Sequence, residues 1–284
     1  MPLERYDTLL KDAHNRKYAV GAFNIFALEF LPAILSAAEE EKSPALLQIN
    51  PIHFYLADPG PYLDYVKHQI AKTKVPIGLN LDHGISKDII LKGIQAGFPS
   101  VMFDGSKLPY AENLAQTREI VELAAACGIT VEAELGTLND EGLEINAENR
   151  DRLFTNPEKA ADFVNHTGVH ALAVAIGNAH GFYKGKPELD FERLKKINAR
   201  VAVPLVLHGG SGISDSDFQK AISLGISKIN IYTEMSAAAA TTVKSLCNEK
   251  DSPCDYPTLL FKAREAVKKV VIDKMRVFKS SGKA

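Results

Sequence analysis

The stretch VPLVLHGGSGISDSDFQKAISLGISKINI, residues 203–231, holds one complete structural unit. Residues 203–207 are apolar on both faces, the pattern of a short strand covered on both sides. A Gly-rich turn follows, and Ser214-Asp-Ser-Asp217 supplies an N-cap hydroxyl together with first-turn carboxylates. Helical spacing covers 214–224, Gly225 stands at the C-cap, and a second apolar run fills 226–231. Strand, helix and strand in this order are the unit of a parallel sheet wrapped in helices.

Outward from this stretch the unit repeats. Apolar, β-branched runs occur at 18–25, 44–49, 75–81, 100–103, 130–135, 171–176, 203–207 and 226–231, which makes eight. Helical spacing separates them, for example at 28–41, 86–96, 111–127 and 157–167. Asn156-Pro157 places a capping side chain before a first-turn proline, and Gly97, Gly128 and Gly168 end helices just ahead of the next strand. Eight βα units in about 250 residues is the arithmetic of an α/β protein built as a (β/α)8 TIM barrel, here one domain over 1–284. A doubly wound open sheet is the alternative; it typically carries a Gly-rich turn after its first strand, where this chain reads Asn24-Ile-Phe-Ala. The longest interval exposes a polar, acidic insertion from Thr137 to about Thr155, the natural position for a lid.

Composition agrees with a large soluble core. The chain has 284 residues, 46% hydrophobic and 24% charged. Lys+Arg total 33 against Asp+Glu 35, and no basic run follows a phosphate backbone, so a nucleic-acid partner is not expected. No run approaches the roughly 18 apolar residues of a membrane span, and the start MPLERYDTLL lacks an apolar leader region. Cys127, Cys247 and Cys254 form neither an even set nor a CxxC pair, which suits a reducing compartment. The expectation is a cytoplasmic protein without membrane contact.

A barrel of this kind does its chemistry where strands run into the following loops. Those positions hold Asn24, Asn50, Asp82-His83, Asp104, Glu134, Asn178 and His180, His208, and Asn230 to Thr233. Five of the eight histidines, His14, His53, His68, His166 and His170, fall where a structural role is expected. His83, His180 and His208 each lie beyond a different strand, so one barrel mouth gathers three imidazoles, a catalytic zinc arrangement. The plain alternative is three unrelated histidines at strand ends. Asp82 precedes His83 and is expected to point elsewhere, which suits an acid/base group better than a co-ligand. Asp104 and Glu134 can supply a second metal position or orient the histidines. Val131-Glu-Ala-Glu-Leu-Gly136 sets Glu132 and Glu134 on one strand face, where two like charges must be paired, metal-bound or partly protonated.

A phosphate site completes the set. His208-Gly-Gly-Ser-Gly212 runs into the helix capped by Ser214, and Asn230-Ile-Tyr-Thr233 follows the eighth strand; barrels often bind phosphate at these two loops. A Lewis-acid metal, a neighbouring carboxylate and a phosphate clamp suit enolisation of a phosphorylated ketone, with Asp82 moving the proton of the hydroxyl at the breaking carbon–carbon bond. A Schiff-base route needs a desolvated lysine in the barrel. The strand ends offer none, since Lys228 stands at the beginning of the eighth run and the sixth run has no lysine.

These residues resemble a known family, the class II (zinc-dependent) fructose-bisphosphate and tagatose-bisphosphate aldolases. The matching segments are Gly21-Ala-Phe-Asn24, Leu81-Asp-His-Gly84, Met102-Phe-Asp-Gly-Ser106, Val131-Glu-Ala-Glu-Leu-Gly136, Ala173-Val-Ala-Ile-Gly-Asn-Ala-His-Gly181, Pro204-Leu-Val-Leu-His-Gly-Gly-Ser-Gly212 and Lys228-Ile-Asn-Ile-Tyr-Thr233. The resemblance implies a class II aldolase, a carbon–carbon lyase that reversibly cleaves a ketose (bis)phosphate to dihydroxyacetone phosphate and an aldehyde. It implies Asp82 as the proton donor and acceptor, His83, His180 and His208 as zinc ligands, and Asp104 and Glu134 at an alternate metal position. Gly181, Gly209, Gly210, Ser211, Asn230, Ile231, Tyr232 and Thr233 would hold the donor, with Asn24 near the substrate. A homodimer or homotetramer and a monovalent cation near the phosphate loops are also implied.

Two departures bear on substrate. The family's Gly-Gly-x-Glu-Asp loop is replaced by Thr137-Leu-Asn-Asp-Glu-Gly-Leu-Glu144, making Glu141 the candidate for the enolising proton and Glu144 the second choice. The family's Asp-Pro-Arg near the C-terminus is replaced by Asp255-Tyr-Pro-Thr258, and Asn50 stands where a small residue often lines the pocket. The expected acceptor is then an aldehyde other than glyceraldehyde 3-phosphate, with Lys262 or Arg264 as substitutes if a second phosphate is bound. Rival readings are a metal-dependent barrel hydrolase or isomerase of a phosphorylated sugar, and a non-catalytic relative.

Overall fold

Eight parallel strands pair in sequence order and close on themselves: β1 (Val20–Asn24), β2 (Ala45–Ile49), β3 (Ile77–Gly84), β4 (Ser100–Phe103), β5 (Thr130–Leu135), β6 (Ala171–Val174), β7 (Leu205–Leu207) and β8 (Ile226–Ile231). The computed structural model describes residues 3–55, 58–138, 150, 153–181, 183, 185, 187–248 and 255–284. Among these lie α1 (Tyr6–Arg16), α2 (Phe30–Glu41), α3 (Pro59–Ile70), α4 (Lys87–Ala96), α5 (Tyr110–Ala126), α6 (Pro157–Thr167), α7 (Phe191–Asn198), α8 (Asp215–Ser223), α9 (Thr233–Asn248) and α10 (Tyr256–Val277). The architecture is the expected (β/α)8 TIM barrel, and all eight runs become strands. Seven edges differ: β1, β3 and β7 begin two residues later than the apolar runs and β2 one later, β1 stops at Asn24 and β6 at Val174, and β3 continues to Gly84.

Local chemistry fixes the helix ends as read. The Ser214 hydroxyl accepts from the Asp217 amide at 3.2 Å, and Asn156 accepts from the amides of Glu158 and Lys159. Much of the insertion between Leu138 and Leu153 lies outside the described residues, as do Glu141 and Glu144.

Strand alternation sorts the core into two clusters. Phe23, Leu47, Leu79, Val131, Leu207 and Ile229 pack outward with the helices. Val20, Ala22, Leu46, Ala171, Ala173 and Val206 form a second cluster with Tyr6, Leu9, Leu10 and Ala13 of α1. Helix α1 thus closes the end where the strands begin, and its face follows the spacing i, i+3, i+4, i+7. Further along the strands the interior becomes polar: Asn24 follows Ala22, Asp82 follows Asn80, Glu134 follows Glu132, and Asn230 follows Lys228. One end of the barrel is sealed with hydrocarbon, and the other presents hydrogen-bonding and ionisable groups.

Candidate active site

Those polar groups open into one cavity of about 510 Å³ at the C-terminal ends of the strands. Its lining includes Asn24, Asp82, His83, Asp104, Glu134, His180, Gly181, Gly209, Gly210, Ser211, Asn230, Tyr232 and Thr233. His208 sits beneath, almost fully buried. Ile231 is the exception among the expected substrate residues, because its side chain points out of the barrel into the helix-facing core.

The three histidines converge as their spacing required. The rings of His83 and His208 are 4.8 Å apart between centroids, His83 and His180 4.9 Å, and His180 and His208 6.1 Å. One ring nitrogen from each lies within 4.8 Å of the others. A second group, His83, Asp104 and Glu134, meets the same limit, so His83 is common to both. Nε2 of His83 is 3.1 Å from Nδ1 of His208, close to the roughly 3.3 Å between two nitrogens on a tetrahedral zinc with bonds of about 2 Å. The donor set fits zinc: neutral imidazoles that can leave a position open, with carboxylates alongside.

Electrostatics agree. Burial pushes the His83 imidazole down, but Asp82, Asp104 and Glu134 outweigh it and carry its pKa up to about 10. The carboxylates therefore draw a positive charge to this point. Asp104 accepts from Nδ1 of His83 at 2.8 Å and from the Ser106 hydroxyl at 2.6 Å; these bonds overcome burial and hold its carboxyl well below the ordinary range. His208 behaves oppositely. Burial, aided by the nearby charges of His83 and Lys228 and opposed by Glu132, lowers it to about 4, which leaves the neutral ring that ligation requires.

Asp82 does not point elsewhere. The pairing of β3 with β4 shifts register between Leu81 and Gly84, and His83 adopts φ +52°, so the alternation breaks and both side chains reach the cavity. The Asp82 carboxylate accepts from Nδ2 of Asn24 at 2.7 Å and of Asn230 at 3.3 Å. Burial raises its pKa, yet His83, His208 and Lys228 prevail and hold it below the ordinary value, ready to accept a proton.

Lys228 also differs from expectation. It is a middle residue of β8 with a fully buried side chain inside the barrel, so a desolvated lysine does exist. Its ammonium is paired with Glu132 at 2.6 Å rather than presented to the cavity, so it offers no nucleophile for a Schiff base there. Glu132 and Glu134 do share a face, and Glu132 resolves the like-charge conflict by pairing with this lysine.

Gly209 has φ +62°, and a Cβ there would lie 2.1 Å from the Ala179 carbonyl oxygen, so only glycine fits. Helix α9 starts at Thr233, which sets a helix N-terminus beside Asn230 and Tyr232. Phe26 escaped the sequence reading. Its ring stands 4.1 Å from that of Tyr232, and both line the cavity; an aromatic two residues beyond a strand end gives no signal of such a partner. Lys262 pairs with Glu265 and Arg264 lies over Phe261; any role for them across a dimer involves a second copy of the chain.

A closed barrel with an imidazole cluster, a buried carboxylate and two glycine-rich or helix-start loops at one mouth is the arrangement of a barrel enzyme whose cavity is built for polar small molecules. The family described as fructose-bisphosphate aldolase class-II matches residues 4–283. The fructose-bisphosphate aldolase of Geobacillus stearothermophilus is 42% identical over 287 residues, covering 100% of this chain and 99% of the relative. That of Staphylococcus aureus (strain COL) is 39% identical over 290 residues, covering both chains fully at 100%. The crystal structure of the YdjI aldolase from Escherichia coli K12 superposes with a TM-score of 0.88 at 38% identity, covering 99% of each chain. The chain belongs to the class-II fructose-bisphosphate aldolase family, and its activity is that of a carbon–carbon lyase. The hydrolase, isomerase and non-catalytic readings are not favoured.

Proposed function

We propose that the protein reversibly cleaves a ketose phosphate into dihydroxyacetone phosphate and an aldehyde, with His83, His180 and His208 holding zinc. The observation that carries this reading is the opening of Asp82, the histidine cluster and both phosphate loops into one cavity. Zinc held by these three rings would supply a Lewis acid for the carbonyl of the donor. In cleavage Asp82 takes the proton from the hydroxyl on the carbon losing its bond, and in condensation it returns that proton. Asn24 and Asn230 aim its two oxygens. Glu141, or Glu144, delivers the balancing proton to the donor carbon. The loop of Gly209, Gly210 and Ser211, together with the turn of Asn230, Tyr232 and Thr233 into α9, cradles the donor phosphate, and Gly181 closes this side. Ile231 serves through its backbone. Asp104 and Glu134 offer an alternate metal position with His83.

On the acceptor side we favour an aldehyde without a second phosphate. The described lining residues include no arginine and one lysine, Lys107, while Phe26 and Tyr232 form an aromatic wall. The proposal extends to a monovalent cation near the phosphate loops, a homodimer or homotetramer, and a cytoplasmic setting; Cys127 is a free thiol, and no described helix is long and apolar enough to cross a membrane. The test is donor consumption with phosphorylated and plain aldehydes, before and after EDTA. EDTA-sensitive loss restored by zinc is expected, fastest with a plain aldehyde. Faster turnover with glyceraldehyde 3-phosphate would reverse the acceptor assignment, and no consumption with any aldehyde, without donor proton exchange into deuterated water, would refute the reaction.

A further inference from the structure

Three polar side chains inside the barrel take no part in the proton transfers above. Tyr6 is 2% exposed, and Glu132 and Lys228 are each 0% exposed. Glu132 joins them. One of its oxygens, Oε2, accepts from the Tyr6 hydroxyl and from Nζ of Lys228 at 2.6 Å, and the other, Oε1, accepts from Nε2 of His208 at 2.8 Å. On its opposite edge the His208 ring presents Nδ1 toward Nε2 of His83. A continuous hydrogen-bonded column thus runs from α1, at the sealed end of the barrel, to the histidine cluster at the open end.

We propose that Tyr6 and Lys228 are positioning residues for His208, acting through Glu132 to fix the imidazole in the tautomer that directs Nδ1 at the metal. Two donors on Oε2 lock the carboxylate in one rotamer and leave Oε1 for the ring. A carboxylate can only accept, so the His208 proton resides on Nε2 and the lone pair on Nδ1. The lysine also balances the carboxylate's charge, so that the ring need not be protonated to make the bond. A partner behind a ligating histidine typically tunes metal affinity by 10–100-fold.

A sealing role alone does not explain the column. The rest of the plug is apolar, with Leu9, Leu10 and Ala13 packed against Val20, Ala22 and Leu46. An ion pair in such surroundings contributes little stability beyond what apolar side chains of similar volume give. The inference rests on His208 being a metal ligand, and the experiment separates the two claims.

Metal-free full-length protein would be titrated with zinc against a chromophoric chelator, and its cobalt(II) form examined by visible absorption. Tyr6→Phe and Lys228→Met are expected to bind zinc about ten-fold more weakly and to shift the cobalt bands. Glu132→Gln, whose amide can also donate, is expected to lose more, and Lys228→Arg to keep affinity that Lys228→Met loses. Leu10→Ala, in the same plug but without a bond to Glu132, should lower the melting temperature without moving the bands. Wild-type affinity and spectrum in both Tyr6→Phe and Lys228→Met would overturn the inference, as would an equal loss in Leu10→Ala. If Tyr6→Phe fails to fold, the arginine and methionine variants of Lys228 decide by the same comparison. If His208→Ala binds zinc as tightly as wild type, the ligand assignment falls and this inference with it.

Discussion

Asp82 and His83 are consecutive in the chain, yet Oδ1 of the first stands 4.0 Å from Nε2 of the second across the same cavity. A regular strand would send them to opposite faces. The left-handed backbone at His83 brings a carboxylate and an imidazole together without a loop between them. Replacing Asp82 by Asn keeps the size and the Asn24 contact but removes the proton acceptor. Turnover should fall by roughly 10²–10⁴-fold with zinc content unchanged. Steady-state kinetics with metal analysis would check this, and loss of zinc in the variant would argue for a ligand role instead.

Zinc uptake by the metal-free protein should release about one proton at pH 8, because His83 is protonated there with its pKa carried up to about 10. Calorimetry in two buffers of different ionisation enthalpy measures it. The sign for stability follows. The folded state holds this proton above the unfolded histidine value, so its contribution is complete below about pH 6.5 and fades as pH rises toward about 10. Melting temperature without metal should therefore decline over that window, and saturating zinc should flatten the decline.

Gly209→Ala places a methyl group against the Ala179 carbonyl and forces a left-handed conformation on alanine. A loss of ~1–3 kcal/mol in stability is expected, with a raised KM for the donor as the phosphate loop shifts. Thermal denaturation and donor saturation curves would reveal both. An unchanged KM would remove this loop from the donor site.

Removal of the Phe26 ring should weaken use of the acceptor and leave the donor phosphate, held by the backbone around Tyr232, bound as before. An aromatic contact of this kind contributes ~0.5–1.5 kcal/mol, so Phe26→Ala is expected to weaken use of a plain aldehyde by about 2–10-fold. KM for dihydroxyacetone phosphate should stay within two-fold, as an order-of-magnitude bound on an untouched site. Equal damage to both would place the rings against the donor.

Barrel and site were legible to different depths in the sequence. Both-face apolarity identified all eight strands because each is covered by helices outside and side chains within. The helix caps at Ser214 and Asn156 were readable because capping is local. Helix α1 was passed over even though Tyr6, Leu9, Leu10 and Ala13 carry its period, since the strand count already filled the fold. Lys228 was misplaced for a related reason: a charged residue within an apolar run reads as an edge, and only its distant partner Glu132 makes the interior tenable. The turn that aims Asp82 and the stacking of Phe26 on Tyr232 depend on bulges and cross-strand distances that leave no periodic trace.

The three imidazoles come from the ends of β3, β6 and β7, with 125 residues between His83 and His208. During synthesis from the N-terminus, a growing chain can offer an ion at most two of these rings until residue 208 has emerged. Capture by all three would thus wait until nearly three quarters of the polypeptide exists and the sheet has curled far enough to bring its third and seventh strands within reach. With these rings as the proposed zinc ligands, metal acquisition is expected late in biogenesis, and retention of the ion would report a properly assembled cylinder.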